Sequence, residues 1–202
     1  DALPKIKFIH AASDTVGVNL FLDEKKITGN VPATITTVGS VNIGKVNIGT
    51  ISFQSTFPVT YYTSVDKSSG TFSVVFPESY NATTTFLTKT LSTGSVPALE
   101  PASHYTVAFV GITKAYETVV YEDDLASAPI DGQSYVRFAN FIDNSAGNLT
   151  LVATPPATTD DPNPVQIILF PNVSYKGMSG FVALPRPGAY TNVRILKPSN
   201  NA

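Results

Sequence analysis

Two histidines are the side chains of this sequence best suited to acid–base chemistry. His10 is followed by Ser13 and Asp14, and a hydrolytic triad needs a histidine base, an orienting carboxylate and a hydroxyl nucleophile in one pocket. His10 and His104 both lie in or at the edge of a strand pattern, however, and the residues after His10 have the composition of a turn. The sequence therefore predicts a structural role for His10 and no enzyme. A weak hydrolase or carbohydrate-active accessory domain using His10, Ser13 and Asp14 is the alternative.

Glu122-Asp123-Asp124 and Asp160-Asp161 are acidic clusters of the sequence. Carboxylates in a loop can bind Ca²⁺, which takes about six to eight oxygen ligands. Neither group has the alternating spacing of an EF-hand loop, so solvated loop charge is the preferred interpretation. Glu122, Asp123 and Asp124 are a weak calcium candidate, and no other metal and no cofactor is predicted. The chain has no cysteine, which excludes thiol nucleophiles, cysteine-held zinc and disulfides.

Two consecutive tyrosines, Tyr61 and Tyr62, are the candidate ligand surface. Consecutive side chains of a strand point to opposite faces, so one of the two rings must leave the core. An exposed tyrosine ring can stack on a sugar or anchor a protein partner. Core packing and cross-strand pairing are the competing and more common roles of such rings.

The composition indicates strands as the elements that position these residues. Hydrophobic residues make up 43% and charged residues 14% of the 202 positions, and the charged share lies well below the usual quarter or so. Thr, Ser, Val, Asn and Tyr are abundant and suit pleated, half-exposed sheet faces. The net charge is −2 and the basic residues are scattered, so nucleic-acid binding is not expected. No apolar run approaches the roughly 18 residues of a membrane span.

Period-two alternation marks the clearest strands, at 18–22, 72–76 and 105–109. We expect the first two segments to pair in one core through their apolar residues, which are Val18, Leu20, Leu22, Phe72, Val74 and Phe76. Further strands are predicted at 5–11, 49–54, 59–65, 84–91, 116–122, 134–141, 148–153, 165–170, 179–184 and 189–196.

Two stretches are predicted to leave the regular strands. Residues 30–50 carry a short tandem echo, Val-Asn-Ile-Gly at 41–44 and again at 46–49, and are interpreted as a hairpin or a projecting loop. Residues 154–164 are rich in proline and are expected to form neither helix nor strand.

An internal repeat is the most informative feature of the chain. Lys7-Phe8-Ile9-His10-Ala11 recurs as Arg137-Phe138-Ala139-Asn140-Phe141, an offset of 130 positions (138 − 8). Long-period similarity of this kind indicates a duplicated structural unit. We therefore predict two modules, residues 1–130 and 131–202. The second has no counterpart of the strands near 84–91, 105–112 and 116–122, so we expect an open sheet edge that is covered by module one or by another chain.

The opening residues resemble a bacterial family, the domain of unknown function numbered four thousand three hundred and ninety-seven. Residues 6–14 read Ile-Lys-Phe-Ile-His-Ala-Ala-Ser-Asp and are similar to the family's opening phrase, V-R-F-x-H-A-S-P-D. The stretches at 99–107, 122–125 and 172–190 resemble later parts of the module. Two residues depart from the pattern. Ser13 stands where the family usually has proline, and Asn140 replaces the signature histidine in the second copy, which argues against a chemical role for that histidine.

The resemblance implies a location and an architecture more than a reaction. Members of the family are typically exported and often are surface-anchored lipoproteins, thought to be built of tandem β-sandwich modules. The expected fold is all-β, with two tandem antiparallel β-sandwiches of the immunoglobulin or transthyretin type. The expected function is a non-catalytic extracellular or cell-surface module, outer-membrane-anchored, for adhesion, ligand binding or spacing. A glycan or an extracellular protein is the expected partner. An opening at Asp1-Ala2-Leu3-Pro4, without a signal-peptide pattern, is expected of a mature chain, and a lipid anchor would lie outside it.

Overall fold

Strands account for all of the regular structure in a computed structural model of the chain, which describes residues 2–15, 17–23, 25–28, 35–38, 41–44, 50–81, 85–125, 133–142 and 147–198. In chain order the strands are β1 (Lys5–His10), β2 (Asn19–Leu22), β3 (Lys25–Lys26), β4 (Ile35–Val38), β5 (Val41–Gly44), β6 (Thr56–Phe57), β7 (Thr63–Ser64), β8 (Thr71–Asn81), β9 (Thr85–Ser95), β10 (His104–Val110), β11 (Glu117–Glu122), β12 (Tyr135–Val136), β13 (Leu149–Thr154), β14 (Ile167–Val173), β15 (Val182–Ala183) and β16 (Thr191–Leu196). The all-β prediction is confirmed.

The strands fall into two units, Asp1–Asp123 (unit 1) and Asp124–Ala202 (unit 2). In unit 1, one sheet has the order β11-β10-β1-β6, and β7 also pairs with β1. β1 runs parallel to β10 and antiparallel to β6 and β7. A second, antiparallel sheet has the order β3-β2-β8-β9, and β4 and β5 form a separate hairpin.

The two larger sheets of unit 1 bury one common apolar core. Ile6 and Phe8 alternate with half-buried neighbours along β1 and are fully buried, as the period-two pattern requires. Leu20 and Phe72 of the second sheet are also fully buried and belong to the same cluster. Burying one such side chain contributes about 1.5–3 kcal/mol. The arrangement is sandwich-like, with two sheets sharing their inner faces.

The expected pairing of the two alternating segments is confirmed for its central residues. Leu20 lies opposite Val74 and Leu22 lies opposite Phe72 in the β2–β8 ladder. All four side chains are at most 1% exposed. This ladder is therefore the centre of the unit 1 core.

The same prediction is wrong at its outer ends. Val18 lies before β2 and forms an isolated bridge with Ile51 instead of pairing with Phe76. Phe76 lies opposite Lys89, because β8 runs on past the end of β2 into a long hairpin with β9.

Several predicted strands are shorter than expected. The 49–54 segment has only the bridge at Ile51, because Gln54 takes a positive φ of 64° in a turn. The 59–65 segment contributes only β7, and the 179–184 segment only β15. The 134–141 segment has β12 and a bridge at Ala139. Short edge segments pair with one neighbour, so their apolar pattern alone does not produce a continuous ladder.

Both predicted excursions are accounted for where the structure describes them. β4 and β5 confirm a hairpin within 30–50, whereas the second copy of the echo at 46–49 lies outside the described residues. The proline-rich stretch contains no strand from 155 to 166. The predicted module boundary at 130 lies in 126–132, which is also outside the described residues.

Unit 2 contains a three-stranded sheet, β14-β13-β16, and the pair β12-β15. Its buried apolar side chains in the described part of the chain are few. They are Leu149, Val152, Ala153 and Phe170.

The strand ladders of the two units have the same register. Leu20 lies opposite Val74 in unit 1, and Thr150 lies opposite Leu196 in unit 2. The first residues of these pairs are 130 positions apart (150 − 20) and the second residues 122 apart (196 − 74). β1 and β12 also pair at the offset of 130 positions, since Lys5 lies opposite Ser64 and Tyr135 lies opposite Ala183, but here the second residues are 119 positions apart (183 − 64).

The turn next to the signature position is also repeated. The main chain of His10 bonds to Gln54 and Ser55 in unit 1, and that of Asn140 bonds to Lys176 and Gly177 in unit 2. Gln54 and Lys176 have nearly the same positive φ, 64° and 59°. Backbone pairing thus survives the change of side chain from His10 to Asn140.

Candidate functional site

The outer face of the first sheet of unit 1 carries an unusual polar group. Lys5 and Lys7 alternate with buried residues along β1, so their side chains lie on the face away from the core. Lys5 lies opposite His104 and Lys7 lies opposite Thr106 in the β1–β10 ladder. Directly opposite residues share a face. The ladder therefore brings two amines, an imidazole and a hydroxyl together.

A bulge between two short strands covers part of this face. β6 and β7 both pair with β1, and residues 58–62 leave the ladder between them. Pro58 has no N–H to donate, so the ladder cannot continue through it. Val59 and Tyr61 project from the bulge with 81% and 76% of their surface exposed. Tyr62, in contrast, is half-buried.

Tyr62 fastens the bulge to the sheet. Its hydroxyl donates to Oδ2 of Asp123 at 2.6 Å. Its ring meets the His104 ring edge-on, with centroids 4.8 Å apart and planes at 82°. The Nζ of Lys7 lies 5.6 Å from the centre of the same ring, within the range of a cation–π contact. We call Lys7, Tyr62, His104, Thr106 and Asp123 the outer-face cluster.

Asp123 is the buried acid of this cluster. It is 3% exposed, although it follows directly on β11. Its Oδ2 accepts hydrogen bonds from Tyr62 and, at 2.7 Å, from the Thr106 hydroxyl. Its backbone N–H donates to the carbonyl of His104 at 2.7 Å. The two hydroxyl donors offset part of the cost of burying the carboxylate.

The weak calcium candidate is divided between two environments. Asp123 turns inward, whereas Glu122 and Asp124 are exposed. A calcium ion needs several oxygens converging on one point. The described residues contain no group of three or more His, Asp or Glu side chains placed to hold a metal ion.

His104 has a perturbed imidazole. Partial burial lowers its pKa below the ordinary value of 6.5, the positive charge of Lys5 lowers it further, and Asp123 opposes this shift. The ring is therefore mostly neutral at pH 7 and meets the Tyr62 ring edge-on as an uncharged group.

His10 lies on the other face of the same strand. It is fully buried, and its Nε2 is 3.1 Å from the Oγ1 of Thr15. Its ring makes an edge contact with Phe109, with centroids 5.4 Å apart. Ser13 and Asp14 are exposed, and a carboxylate oxygen of Asp14 accepts from a main-chain N–H elsewhere. The three residues of the hydrolase alternative therefore lie in different environments.

Unit 2 repeats the cation–π contact of the cluster with a phenylalanine in place of the tyrosine. The guanidinium of Arg137 lies 4.7 Å from the centre of the Phe181 ring. Arg137 follows Lys7 by 130 positions, and Phe181 follows Tyr62 by 119. Phenylalanine has no hydroxyl to donate, so the hydrogen bond made by Tyr62 has no equivalent at this position.

Sequence reasoning named Tyr61, Tyr62 and Asp123 separately and did not connect them. It also missed Lys7 and Thr106 as members of the cluster. The alternation at 5–10 and 104–110 shows which residues share a face within each strand. Only the β1–β10 register and the path of 58–62 show that these faces meet.

Comparison with known proteins places the chain in a family. The family described as "Domain of unknown function (DUF4397)" matches residues 4–152. The chain belongs to this family. The match covers β1 and the whole outer-face cluster, and it reaches β13 of unit 2. No curated protein shows significant similarity to the chain. In the described part of this DUF4397 chain, no helix is long and apolar enough to cross a membrane.

Proposed function

We propose that this DUF4397 chain is a non-catalytic, exported cell-surface protein that binds a glycan or an extracellular protein through the 58–62 bulge. One observation carries the proposal. Val59 and Tyr61 are 81% and 76% exposed at the tip of a bulge that Tyr62 fastens to the buried Asp123. An aromatic ring and an aliphatic side chain that are exposed next to each other offer apolar surface that a bound partner can remove from water.

The anchor makes the bulge suitable for recognition. A ligand that binds a loose loop must offset the entropy of ordering it, whereas a loop already held in place binds without that cost. The Tyr62 hydroxyl, the His104 ring and the Lys7 amine hold the bulge from three directions. The exposed Tyr61 ring next to them can stack on a sugar or enter a pocket on a protein.

We further propose that the two units are tandem β-sandwich modules of the immunoglobulin or transthyretin type. The shared offsets of the β2–β8 and β13–β16 ladders support a common origin, as does the repeated turn beside His10 and Asn140. Export and anchoring outside the described chain are proposed from the resemblance of the opening residues to surface lipoproteins of the family. The described contacts do not bear on them.

The experiment is a screen of the full chain on glycan and extracellular-protein arrays, followed by affinity measurement for the ligand found. The double variant Val59→Ser/Tyr61→Ser should lower affinity at least about tenfold, because it removes the two exposed apolar side chains of the bulge. A tenfold loss corresponds to about 1.4 kcal/mol of binding free energy. The control Val165→Ser removes an equally exposed valine, at 79%, from another part of the chain, and should leave affinity unchanged.

A second variant tests the anchor. Tyr62→Phe keeps the ring but removes the hydrogen bond to Asp123, so it should weaken binding through a looser bulge while Tyr61 stays in place. A chain that binds nothing on either array acts as a spacer. That result, or a ligand whose affinity ignores Val59 and Tyr61, would overturn the proposal.

A further inference from the structure

Two lysines on the outer face of unit 1 are held side by side without an acidic partner. Lys5 and Lys7 lie two residues apart on the face of β1 that points away from the core, and both are half-buried. No carboxylate within the described residues forms an ion pair with either amine, whereas Lys25 pairs with Asp66 at 2.7 Å. Two like charges on one face are therefore available to an anion from outside.

The outer-face cluster positions both amines. The Nζ of Lys7 lies 5.6 Å from the centre of the Tyr62 ring, and Oδ2 of Asp123 accepts from two hydroxyls. Burial, and next the charge of Lys5, lower the pKa of the His104 imidazole, so the Lys5 amine also lies near the cluster. A lysine ammonium has three N–H donors, and one ring face does not satisfy all three. The amines therefore keep donors for a bound anion.

Lys7 lies beside the base of the 58–62 bulge. Its two neighbours in β1 pair with Phe57 and Thr63, the residues directly before and after the bulge. Lys5 continues the same face by one step of the strand. Tyr61 is exposed at the tip. A ligand that contacts both the tip and the base of the bulge therefore meets an aromatic ring and two amines.

Unit 2 lacks the second amine and the exposed ring together. At the offsets of the β1–β7 and β12–β15 ladders, Tyr135 stands in place of Lys5 (135 − 5 = 130) and Gly180 in place of Tyr61 (180 − 61 = 119). Unit 2 keeps the cation–π contact through Arg137. A role in packing accounts for that one cation. The joint loss of the other two groups links the second amine of unit 1 to the exposed ring.

We propose that the ligand of the bulge is an acidic glycan, whose carboxylate or sulfate is bound by Lys5 and Lys7 while a sugar ring stacks on Tyr61. This inference rests on the proposed binding at 58–62 and names the class of its ligand. An exposed tyrosine ring provides the face on which a sugar ring stacks, and ammonium groups bind carboxylates and sulfates through charge-assisted hydrogen bonds.

The small apolar area of the bulge favours a glycan over an acidic protein. Val59 and Tyr61 are the exposed apolar side chains of the bulge. A stable protein interface buries about 800 Å² on each partner and has a fully buried apolar centre. Two apolar side chains beside two amines are too few for such a centre, but they are sufficient for one or two sugar rings.

The probes are matched pairs of tetrasaccharides that differ in charge. They are tetramers of galacturonate, mannuronate and guluronate, each with its methyl ester, and a sulfated carrageenan tetramer with its desulfated form. The full chain is titrated with each by isothermal calorimetry. At least one charged member should bind about tenfold more tightly than its uncharged counterpart. Raising NaCl from about 20 mM to about 500 mM should remove most of this preference, because salt screens partly exposed charges.

Variants separate the amines from the ring. Lys5→Gln and Lys7→Gln should each reduce the ratio of the charged to the uncharged affinity about threefold or more. Lys7→Gln also removes the contact with the Tyr62 ring, but a looser bulge lowers both affinities and leaves their ratio unchanged. Tyr61→Ser should weaken both members alike. The control Lys114→Gln removes an exposed lysine from the turn between β10 and β11 and should change neither affinity.

Equal affinity for both members of every pair would overturn the proposal, and so would a preference for charge that survives Lys5→Gln. Tighter binding of polyglutamate than of every charged sugar would identify an acidic protein as the partner and would also contradict it. A chain that binds none of the probes does not recognise an acidic glycan. In each case, a neutral sugar or a protein whose affinity depends on Val59 and Tyr61 would leave the proposed function of the bulge in place.

Discussion

At the scale of single residues, the clearest lesson comes from two side chains at equivalent positions. The main chains of His10 and Asn140 make equivalent hydrogen bonds, to Gln54 and Ser55 in unit 1 and to Lys176 and Gly177 in unit 2, but their side chains fill their sites differently. Asn140 is 1% exposed, donates through its Nδ2 to the carbonyls of Gly147 and Val173, and accepts from the N–H of Ile142. His10 instead packs its ring against aromatic neighbours. The Nε2 of His10 lies 3.1 Å from the Oγ1 of Thr15 in the turn after β1, and a structural role for His10 stays a prediction.

The variant His10→Asn tests this role. It should lower the free energy of unfolding by about 1–3 kcal/mol, because the edge contacts of the ring with Phe53 and Phe109 are lost and a cavity remains. Urea unfolding followed by circular dichroism measures the change. The folded His10→Asn variant should bind any ligand of the protein with the same affinity as wild type. A hydrolytic activity that this substitution abolishes, with folding preserved, would support the alternative with Ser13 and Asp14.

His104 makes stability depend on pH. Its folded-state pKa lies below the ordinary value of 6.5, so the unfolded chain takes up a proton at higher pH than the folded chain. Stability is therefore greatest above about pH 6.5 and falls as pH drops through the unfolded value towards the folded one. We expect wild type to lose more stability between pH 8 and pH 5 than His104→Gln, measured by urea unfolding.

A matched variant separates the causes of this shift. Lys5→Met removes the positive charge that faces His104 but leaves its burial unchanged, so it should reduce the difference between wild type and His104→Gln without removing it. If the stability of wild type and of His104→Gln fell by the same amount between pH 8 and pH 5, carboxylates alone would account for the loss of stability at acid pH.

At the scale of elements, the position of a strand in its sheet decides how much each side chain contributes. β2 lies between β3 and β8 and faces the core, and Leu20 is fully buried. β16 lies at an edge, and Leu196 is 43% exposed. The two leucines have the same side chain and both lie in antiparallel ladders. Their surroundings differ.

Leu20→Ala should destabilise unit 1 by about 2–5 kcal/mol, because it removes buried methyl groups and leaves a cavity. Leu196→Ala should cost less than about 1 kcal/mol, since the removed groups are already half in water. Chemical denaturation of both variants measures the difference. A similar cost for both would mean that Leu196 is covered in solution.

At the scale of the whole molecule, the two units differ in how much apolar surface they bury. Among the described residues, eighteen apolar side chains are buried in unit 1 and four in unit 2. Hydrophobic burial is the main favourable term in folding, so the free energy of local opening should be lower in unit 2.

Hydrogen exchange with mass spectrometry at increasing urea should resolve this difference. Peptides from unit 2 should exchange fully at a lower urea concentration than peptides from β2, β8 and β10. Simultaneous exchange of both units would contradict the expectation.

Local pattern was sufficient for much of the architecture. Hydroxyl-rich composition and the alternation at 18–22 and 72–76 predicted an all-β chain and the Leu20–Val74 pairing, because side-chain direction in a strand repeats every two residues. The recurrence of the Phe8 segment at Phe138 indicated two parts of the chain, and the strand ladders near these two segments match. The opening residues resembled the DUF4397 family, whose model matches residues 4–152.

The tertiary structure alone decided which distant segments meet. Val18 pairs with Ile51 instead of Phe76, and Tyr62 reaches Asp123 from 61 positions away. Neither contact follows from alternation, because alternation specifies a face and not the neighbouring strand. The burial of a residue likewise depends on all the strands that surround it. These surroundings bury Asp123, leave Tyr61 exposed to water and leave β16 exposed at the edge of its sheet.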